Sequence, residues 1–582
     1  MHDPREVYAT RLAARREAAD VIRRVDERWG SAGLWSVSAA AAVFLLILLG
    51  KLSPIWLLPP LAAAAVFQVF HGRCAARRRP LDFGIRFCEE GLARVEDRWI
   101  GKGREGLEFL DPEHPYAADL DVFGRGSLFE RLCTTRTRPG EKTLAGWLLA
   151  PAAISDIRAR QEAVAELRDR LDLREELALL AEDTRTGVNP DELVRWAAEP
   201  PSLPRGLRVW AWIVTLGVGA SFFAGLPYFV AALFAVIFTS WAAKPRVARV
   251  AELAQRAERE LDVLSKVLAR LERESFAAPK LAGTRESLRG AAAAIGRLVR
   301  IVELLQSARN ELVMAILGLF LWRLHVAYAL EGWRTRHGAS ISGWLEAAGE
   351  VDALGALAGY AWERPGDPLP EVVDGGPLYE AEGLGHPLLP DRTCVRNDVR
   401  LGRAPAVLVL SGSNMSGKST LLRTVGANAV LAMAGAPVRA RKLRMSILSV
   451  GATIRVQDSL ELGTSRFFAE VKRLKQLMDL SKGPRPLLFL LEELLSGTNS
   501  HDRQKGAEIL VRTFAESGAM GLVTTHDLSL AAVADALGAK AANVHFEDRI
   551  VDGKLVFDYV LKPGPVKGSN ALDLMRAVGL PV

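Results

Sequence analysis

Cysteine is scarce in this chain. Its 582 residues include four, Cys74, Cys88, Cys133 and Cys394, far apart and without a C-x-x-C pair. That spacing excludes a disulfide framework and a cysteine zinc site, and leaves buried or inert thiols. The N-terminal residues lack the apolar core and small-residue cleavage pattern of an export signal. Internal repeats and low-complexity tracts are absent too. The length suits about three or four domains. A formal charge of +7 is compatible with a nucleic-acid or anionic-lipid partner and by itself decides neither. The hydrophobic share of 49% is only slightly high, so its distribution carries the information.

Charge is nearly missing from two stretches. Residues 31–72 hold Lys51 alone, between apolar runs at 33–50 and 55–70; residues 209–243 hold no charge and break at Gly225-Leu226-Pro227. Each run approaches the length that spans a bilayer, which predicts four membrane helices in two hairpins. The alternative is soluble core helices, since the runs are short for a span and Pro59-Pro60 interrupts the second. Arginine crowds the outer flanks of both stretches (Arg23, Arg24, Arg28, Arg73, Arg77, Arg78 and Arg79; Arg205, Arg208, Arg246 and Arg249, with Lys244). The positive-inside bias then predicts a multi-pass protein of the inner, cytoplasmic membrane with both termini in the cytoplasm.

One stretch carries explicit chemistry. Ala406-Val-Leu-Val-Leu410 reads as a buried strand, and Gly412-Ser413-Asn414-Met415-Ser416-Gly417-Lys418-Ser419-Thr420 completes G-x-x-x-x-G-K-[ST] before a helical pattern. The glycines let the backbone wrap a triphosphate, N–H groups at the helix start face the phosphates, Lys418 reaches the β/γ oxygens and Ser419 can hold Mg²⁺. Downstream, the apolar run 487–491 ends in Glu492-Glu493. Carboxylates there suit a metal contact and activation of water. A further strand at 520–524 delivers Thr525-His526, where His526 can sense the γ-phosphate. Asp552-Gly553 between apolar stretches signals a hairpin.

The remaining pattern is helical. Residues 1–30 form an amphipathic helix; Val250, Ala254, Ala257, Leu261, Leu264, Leu268 and Leu271 make a heptad stripe; and Ile295, Leu298, Ile301, Val302 and Leu305 mark a second helix beyond Pro279. A pair of long antiparallel helices follows, as a lever arm or as walls of a core. The fold class expected is mixed α and α/β: helix 1–30, first hairpin 31–72, first part of a helical core 81–206, second hairpin 207–243, a lever or clamp-like segment with the rest of the core 244–360, and a nucleotide domain 361–582.

These motifs resemble the MutS family of DNA mismatch-repair ATPases, and more closely its membrane-associated relatives without a mismatch domain. The loop Ser413–Thr420, with its Asn-Met, is similar to the family's phosphate loop; Gly463-Thr464-Ser465-Arg466-Phe467-Phe468-Ala469-Glu470 to its signature segment; Glu492-Glu493 with Ser496-Gly497-Thr498-Asn499 to its Walker B strand and trailing loop; Thr524-Thr525-His526 to its switch histidine. Residues 121–140 and 157–161 resemble the start of the helical core, and Gly385-His386-Pro387 with Asn397-Asp398 the start of the ATPase domain. The resemblance implies a P-loop, ABC-type ATPase domain using ATP and Mg²⁺. Gly412–Thr420 would bind nucleotide, Ser419 and Glu492 the metal, Glu493 would activate water, and Ser465 would act across a homodimer with composite sites. DNA is the implied partner, through phosphate contacts.

Three departures qualify this. Glu492 stands where the family usually has Asp, which is expected to shift the metal contact. The sequence before Asp121 leaves no room for a mismatch-reading domain, and the chain stops at Gly579-Leu-Pro-Val582 where longer relatives continue into a helix-turn-helix. The alternatives from other classes are a transporter-type ATPase and an ATP-switched membrane scaffold. Against transport, the segment between the phosphate loop and Glu492 shows no L-S-G-G-Q-like helix start, and the apolar runs hold almost no polar or charged residue to line a path.

Overall fold

The computed structural model describes residues 3–181, 190–256, 258–306, 316–413, 415–455, 466–495, 498–525, 528–551 and 554–566. Its backbone falls into two units: residues 1–102 with 172–182, and residues 103–171 with 183–582.

The first unit is built on two long helices, α1 (Pro4–Leu48) and α2 (Leu58–Val95). The 45 residues of α1 reach roughly 68 Å at 1.5 Å per residue. Asp3 caps it, accepting from the Arg5 N–H at 3.0 Å. The charged N-terminal residues and the apolar run beyond them are one uninterrupted helix. Near its base the hairpin is tight, because a Cβ at Gly91 would lie 2.4 Å from the Tyr8 ring. Arg15 donates to the Gly84 carbonyl at 3.2 Å and the Cys88 thiol at 2.8 Å, Arg16 pairs with Glu89, and Glu175 takes both Arg11 and Arg15. Trp29 stacks on Phe70 at 4.6 Å. Beyond that contact, Leu34, Trp35, Phe44, Leu48, Ile55 and Trp56 are exposed.

The second unit contains a further apolar hairpin, Arg205–Ala224 and Leu226–Arg256, turning at Gly225 with φ 107°. Ala211, Val214, Val218 and Ser221 face inwards at helical spacing, and the Trp210 indole donates to Thr239 Oγ1 at 3.0 Å. Thr215 Oγ1 sits 3.0 Å from His325 Nε2 on the helix Trp322–His337. The outward face shows Leu216, Phe223, Phe234, Ile237 and Trp241 to solvent. By length and composition, four helices of the described residues could cross a membrane: Pro4–Leu48, Pro54–Val95, Arg205–Ala224 and Leu226–Val250.

Helices also make the core of this unit. Glu258–Arg273 runs antiparallel to Ala291–Gln306, with Leu261, Leu268, Leu271, Ile295, Leu298 and Val302 buried, so the part of the heptad stripe from Leu261 to Leu271 faces a partner inside the same chain. The long helix Ile341–Glu363 packs on Arg138–Leu149, where Asp352 accepts from the N–H groups of Arg136 and Thr137 and from the Thr137 hydroxyl. Burial raises the Asp352 carboxyl to about 6.

Strands follow in order: β1 (Glu371–Val373), β2 (Tyr379–Leu384), β3 (Asn397–Leu401), β4 (Val407–Ser411), β5 (Lys442–Ser446), β6 (Ser449–Thr453), β7 (Leu487–Glu492), β8 (Met520–Thr525), β9 (Ala541–His545), β10 (Asp548–Val551), β11 (Lys554–Phe557) and β12 (Lys562–Pro563). A six-stranded sheet has the order β12-β9-β4-β8-β7-β6, parallel except at the β12 edge. A four-stranded sheet has the order β1-β5-β2-β3, and β10 pairs antiparallel with β11. β4, β7 and β8 are buried nearly throughout, as strands covered on both faces must be. The Asp552-Gly553 turn expected between β10 and β11 lies outside the described residues.

Candidate nucleotide site

β4 ends at the centre of the large sheet, and the chain turns there into the helix Lys418–Ala434. Gly417 caps that helix with φ 100°, and a Cβ on it would stand 3.0 Å from the Tyr559 ring. A side chain there would be strained and crowded, which accounts for glycine. Lys418 is buried; its Nζ donates to the carbonyls of Gly412 and Ser413, each at 2.8 Å. Burial lowers the Lys418 pKa from its ordinary value, opposed by Glu493, Glu492 and Asp548. The Ser413 and Ser416 hydroxyl oxygens are buried and find no hydrogen-bond partner among the described residues.

β7 brings up the carboxylates. The Ser419 hydroxyl donates to Glu492 Oε1, so the longer side chain at this position still reaches the hydroxyl at the helix start. Glu493 leaves the strand in the left-handed region (φ 46°), and its N–H donates to the Thr524 carbonyl and hydroxyl, both at 3.3 Å. Thr525 ends β8 in register with Ser411. His526 itself, Ser465 and Asn414 lie outside the described residues. Thr420 and the 85% exposed Met415 line the cleft beside Lys418.

The cleft has a volume of about 740 Å³ and a mixed lining. Lys418, Ser419, Glu492 and Glu493 contribute its polar groups; Val395, Phe546 and Tyr559 contribute apolar surface, with the Tyr559 and Phe546 rings close to Gly417 of the loop. The sequence does not point to the aromatic part of this lining. Asn397 holds the segment that carries Tyr559: its side-chain amide donates to the Tyr559 carbonyl at 3.0 Å and its Oδ1 accepts from the Leu561 N–H at 2.7 Å. Only the segment 397–398 had been singled out, and nothing local links it to a tyrosine 162 positions away. Glu470, the last residue of the signature-like segment, is buried and accepts from the Leu495 N–H at 2.5 Å just beyond β7.

A second set of contacts ties the site to the helical region. Asp119 accepts from the N–H groups of Ile454 at 2.8 Å and Arg455 at 2.7 Å, just past β6. Arg423, on the helix that begins at Lys418, donates to the Asp119 carbonyl at 3.1 Å, and Arg455 pairs with Asp121 at 2.6 Å. Burial raises the Asp119 pKa.

A helical core followed by a sheet-containing α/β region, with a lysine and a hydroxyl just after the central strand β4 and two carboxylates at the end of β7, defines the class. Residues 105–313 match the family description of MutS domain III and residues 408–582 that of MutS domain V. The chain is 33% identical over 238 residues to the DNA mismatch repair protein MutS of Aquifex pyrophilus, covering 40% of this chain and 27% of that protein. It is 33% identical over 219 residues to the Endonuclease MutS2 of Thermomicrobium roseum (36% and 27%) and 32% identical over 239 residues to that of Thermus thermophilus (41% and 30%). The chain belongs to the MutS family. It spans between a quarter and a third of the length of these relatives.

Proposed function

We propose that this chain is a membrane-anchored MutS-like ATPase that binds mismatched, branched or damaged DNA in an ATP-dependent manner. One observation carries the reading: Lys418, Ser419, Glu492 and Glu493 line one cleft together with the aromatic rings of Phe546 and Tyr559. Such a lining suits a nucleotide, the charged groups serving its triphosphate and the rings its base. The orphaned Ser413 and Ser416 hydroxyls fit a loop that is completed by phosphate oxygens.

Ser419 and Glu492 would hold Mg²⁺, which when bound neutralises phosphate charge. Lys418 would exchange its carbonyl partners for β/γ-phosphate oxygens. Glu493 would orient the attacking water and take its proton. By family resemblance Ser465 reaches the partner's nucleotide in a homodimer and His526 senses the γ-phosphate. The Asp119 and Arg423 contacts give a route by which the nucleotide state reaches the helical core, so that hydrolysis opens and closes the helices around DNA. The apolar hairpins anchor the protein in the inner membrane, with the ATPase domain on the arginine-rich, cytoplasmic side.

The test is ATP turnover by detergent-purified protein with and without duplex and branched DNA, across a salt series. The expected result is stimulation that weakens as salt rises. Turnover indifferent to every DNA would overturn the DNA reading and favour a transporter-type or scaffold role.

A further inference from the structure

The base of the first hairpin carries a band of arginines that the nucleotide chemistry leaves unused. The contacts of Asp26 with His71 (2.7 Å) and of Trp29 with Phe70 (4.6 Å) fix the register of α1 against α2. They put Arg24 and Arg28 of α1 within a few turns of Arg73 and Arg77 of α2, just on the N-terminal side of Trp29. All four are exposed, and none pairs with a carboxylate among the described residues. The nearby acids are engaged elsewhere: Asp20 and Glu27 with Arg23, Asp82 with Arg78, Asp26 with His71. No aspartate or glutamate occurs from residue 28 to residue 81. Immediately beyond Trp29, the apolar residues 31–48 extend about 27 Å, close to the hydrocarbon thickness of a bilayer.

We propose that this band is a binding surface for the headgroups of anionic phospholipids. The inference rests on the membrane-anchor reading above. Unpaired guanidiniums set next to an aromatic pair and an apolar span would sit at headgroup depth, where phosphate is the available counter-charge. The Arg73 guanidinium, 5.8 Å from the Phe70 ring centre, already leans towards that boundary. A DNA backbone could also meet arginines, but the abutting apolar helices favour lipid here.

Reconstitution of the full chain into bilayers with trace spin-labelled phosphatidylglycerol or phosphatidylcholine tests this, reading the motionally restricted lipid fraction by electron spin resonance. The expected outcome is a phosphatidylglycerol preference on the order of two- to fivefold, weakened by salt and reduced in R24Q/R28Q/R73Q/R77Q. The charge-preserving R24K/R28K/R73K/R77K variant should retain it, which separates lost charge from misfolding. Equal association of both lipids, or a preference untouched by the glutamines, would overturn the proposal. So would a loss of DNA affinity in the glutamine variant with lipid preference intact. No restricted fraction for either lipid would instead overturn the membrane anchor itself.

Discussion

The strands β7 and β8 and the outer halves of the two hairpins are equally apolar, yet they end in opposite surroundings. Residues 487–491 are sealed inside the sheet, while Trp35 is 77% exposed and Phe223 is 95% exposed. The difference lies in where the backbone hydrogen bonds go. A strand satisfies its N–H and C=O groups only through neighbours, so an apolar strand drags its side chains into a core. A helix satisfies them internally and can present a wholly apolar face to another medium. An apolar run in a strand must therefore find its burial inside the protein, whereas one in a helix can be buried, as at 341–363, or leave an apolar face exposed, as at 205–224.

Truncations on the two sides should break this symmetry most sharply. Phe489, buried and stacked 4.9 Å from Phe514, should cost about 3–5 kcal/mol as Phe489→Ala, whereas Phe223→Ala at the hairpin tip should stay within about 0.5 kcal/mol. Denaturant unfolding of the detergent-purified variants reads both; equal losses would mean that the hairpin tip is packed inside a protein core.

Buried charge chemistry sharpens the contrast further. His386 is held neutral by burial, with Arg423 adding to the effect, and its pKa falls to about 4. The unfolded chain binds this proton near pH 6.5 and the folded one only near 4, so the stability it confers is complete above 6.5 and lost as pH falls towards 4. The loss is on the order of 3 kcal/mol. His386→Gln should remove that part of the acid-side decline in melting temperature measured between pH 7 and pH 5, and an unchanged decline would place its cause elsewhere.

Smaller effects belong to the base of the first hairpin. Gly91→Ala puts a methyl into the Tyr8 ring and should destabilise the α1–α2 pairing by about 1–3 kcal/mol, seen as faster amide exchange in both helices. Glu89→Gln removes an exposed partner of Arg16 and should change stability by less than about 1 kcal/mol in the same measurement. A larger effect from Glu89 than from Gly91 would mean that charge, not close packing, holds the hairpin.

Much of the C-terminal α/β region was legible because its signals are local. Buried parallel strands read as apolar runs, and 406–410, 487–491 and 520–524 became β4, β7 and β8 within a residue. The loop between β4 and its helix is written in a contiguous pattern. The apolar lining of the cleft was not legible, since Val395 and Tyr559 come to one cleft only after the chain has folded. The Asp119 contact with Ile454 and Arg455 spans more than 330 positions and follows no spacing rule. The boundary expected near residue 30 marks a change of polarity and not of secondary structure, for helix hydrogen bonding runs through it unbroken.

The most direct test of the catalytic reading is single-turnover ATP hydrolysis by the detergent-purified protein and its Glu493→Gln variant, with nucleotide affinity measured alongside. If Glu493 activates water, the variant binds ATP as tightly as the wild type and hydrolyses it about a hundredfold more slowly. Unchanged hydrolysis at unchanged affinity would contradict the assignment of this cleft as the catalytic centre.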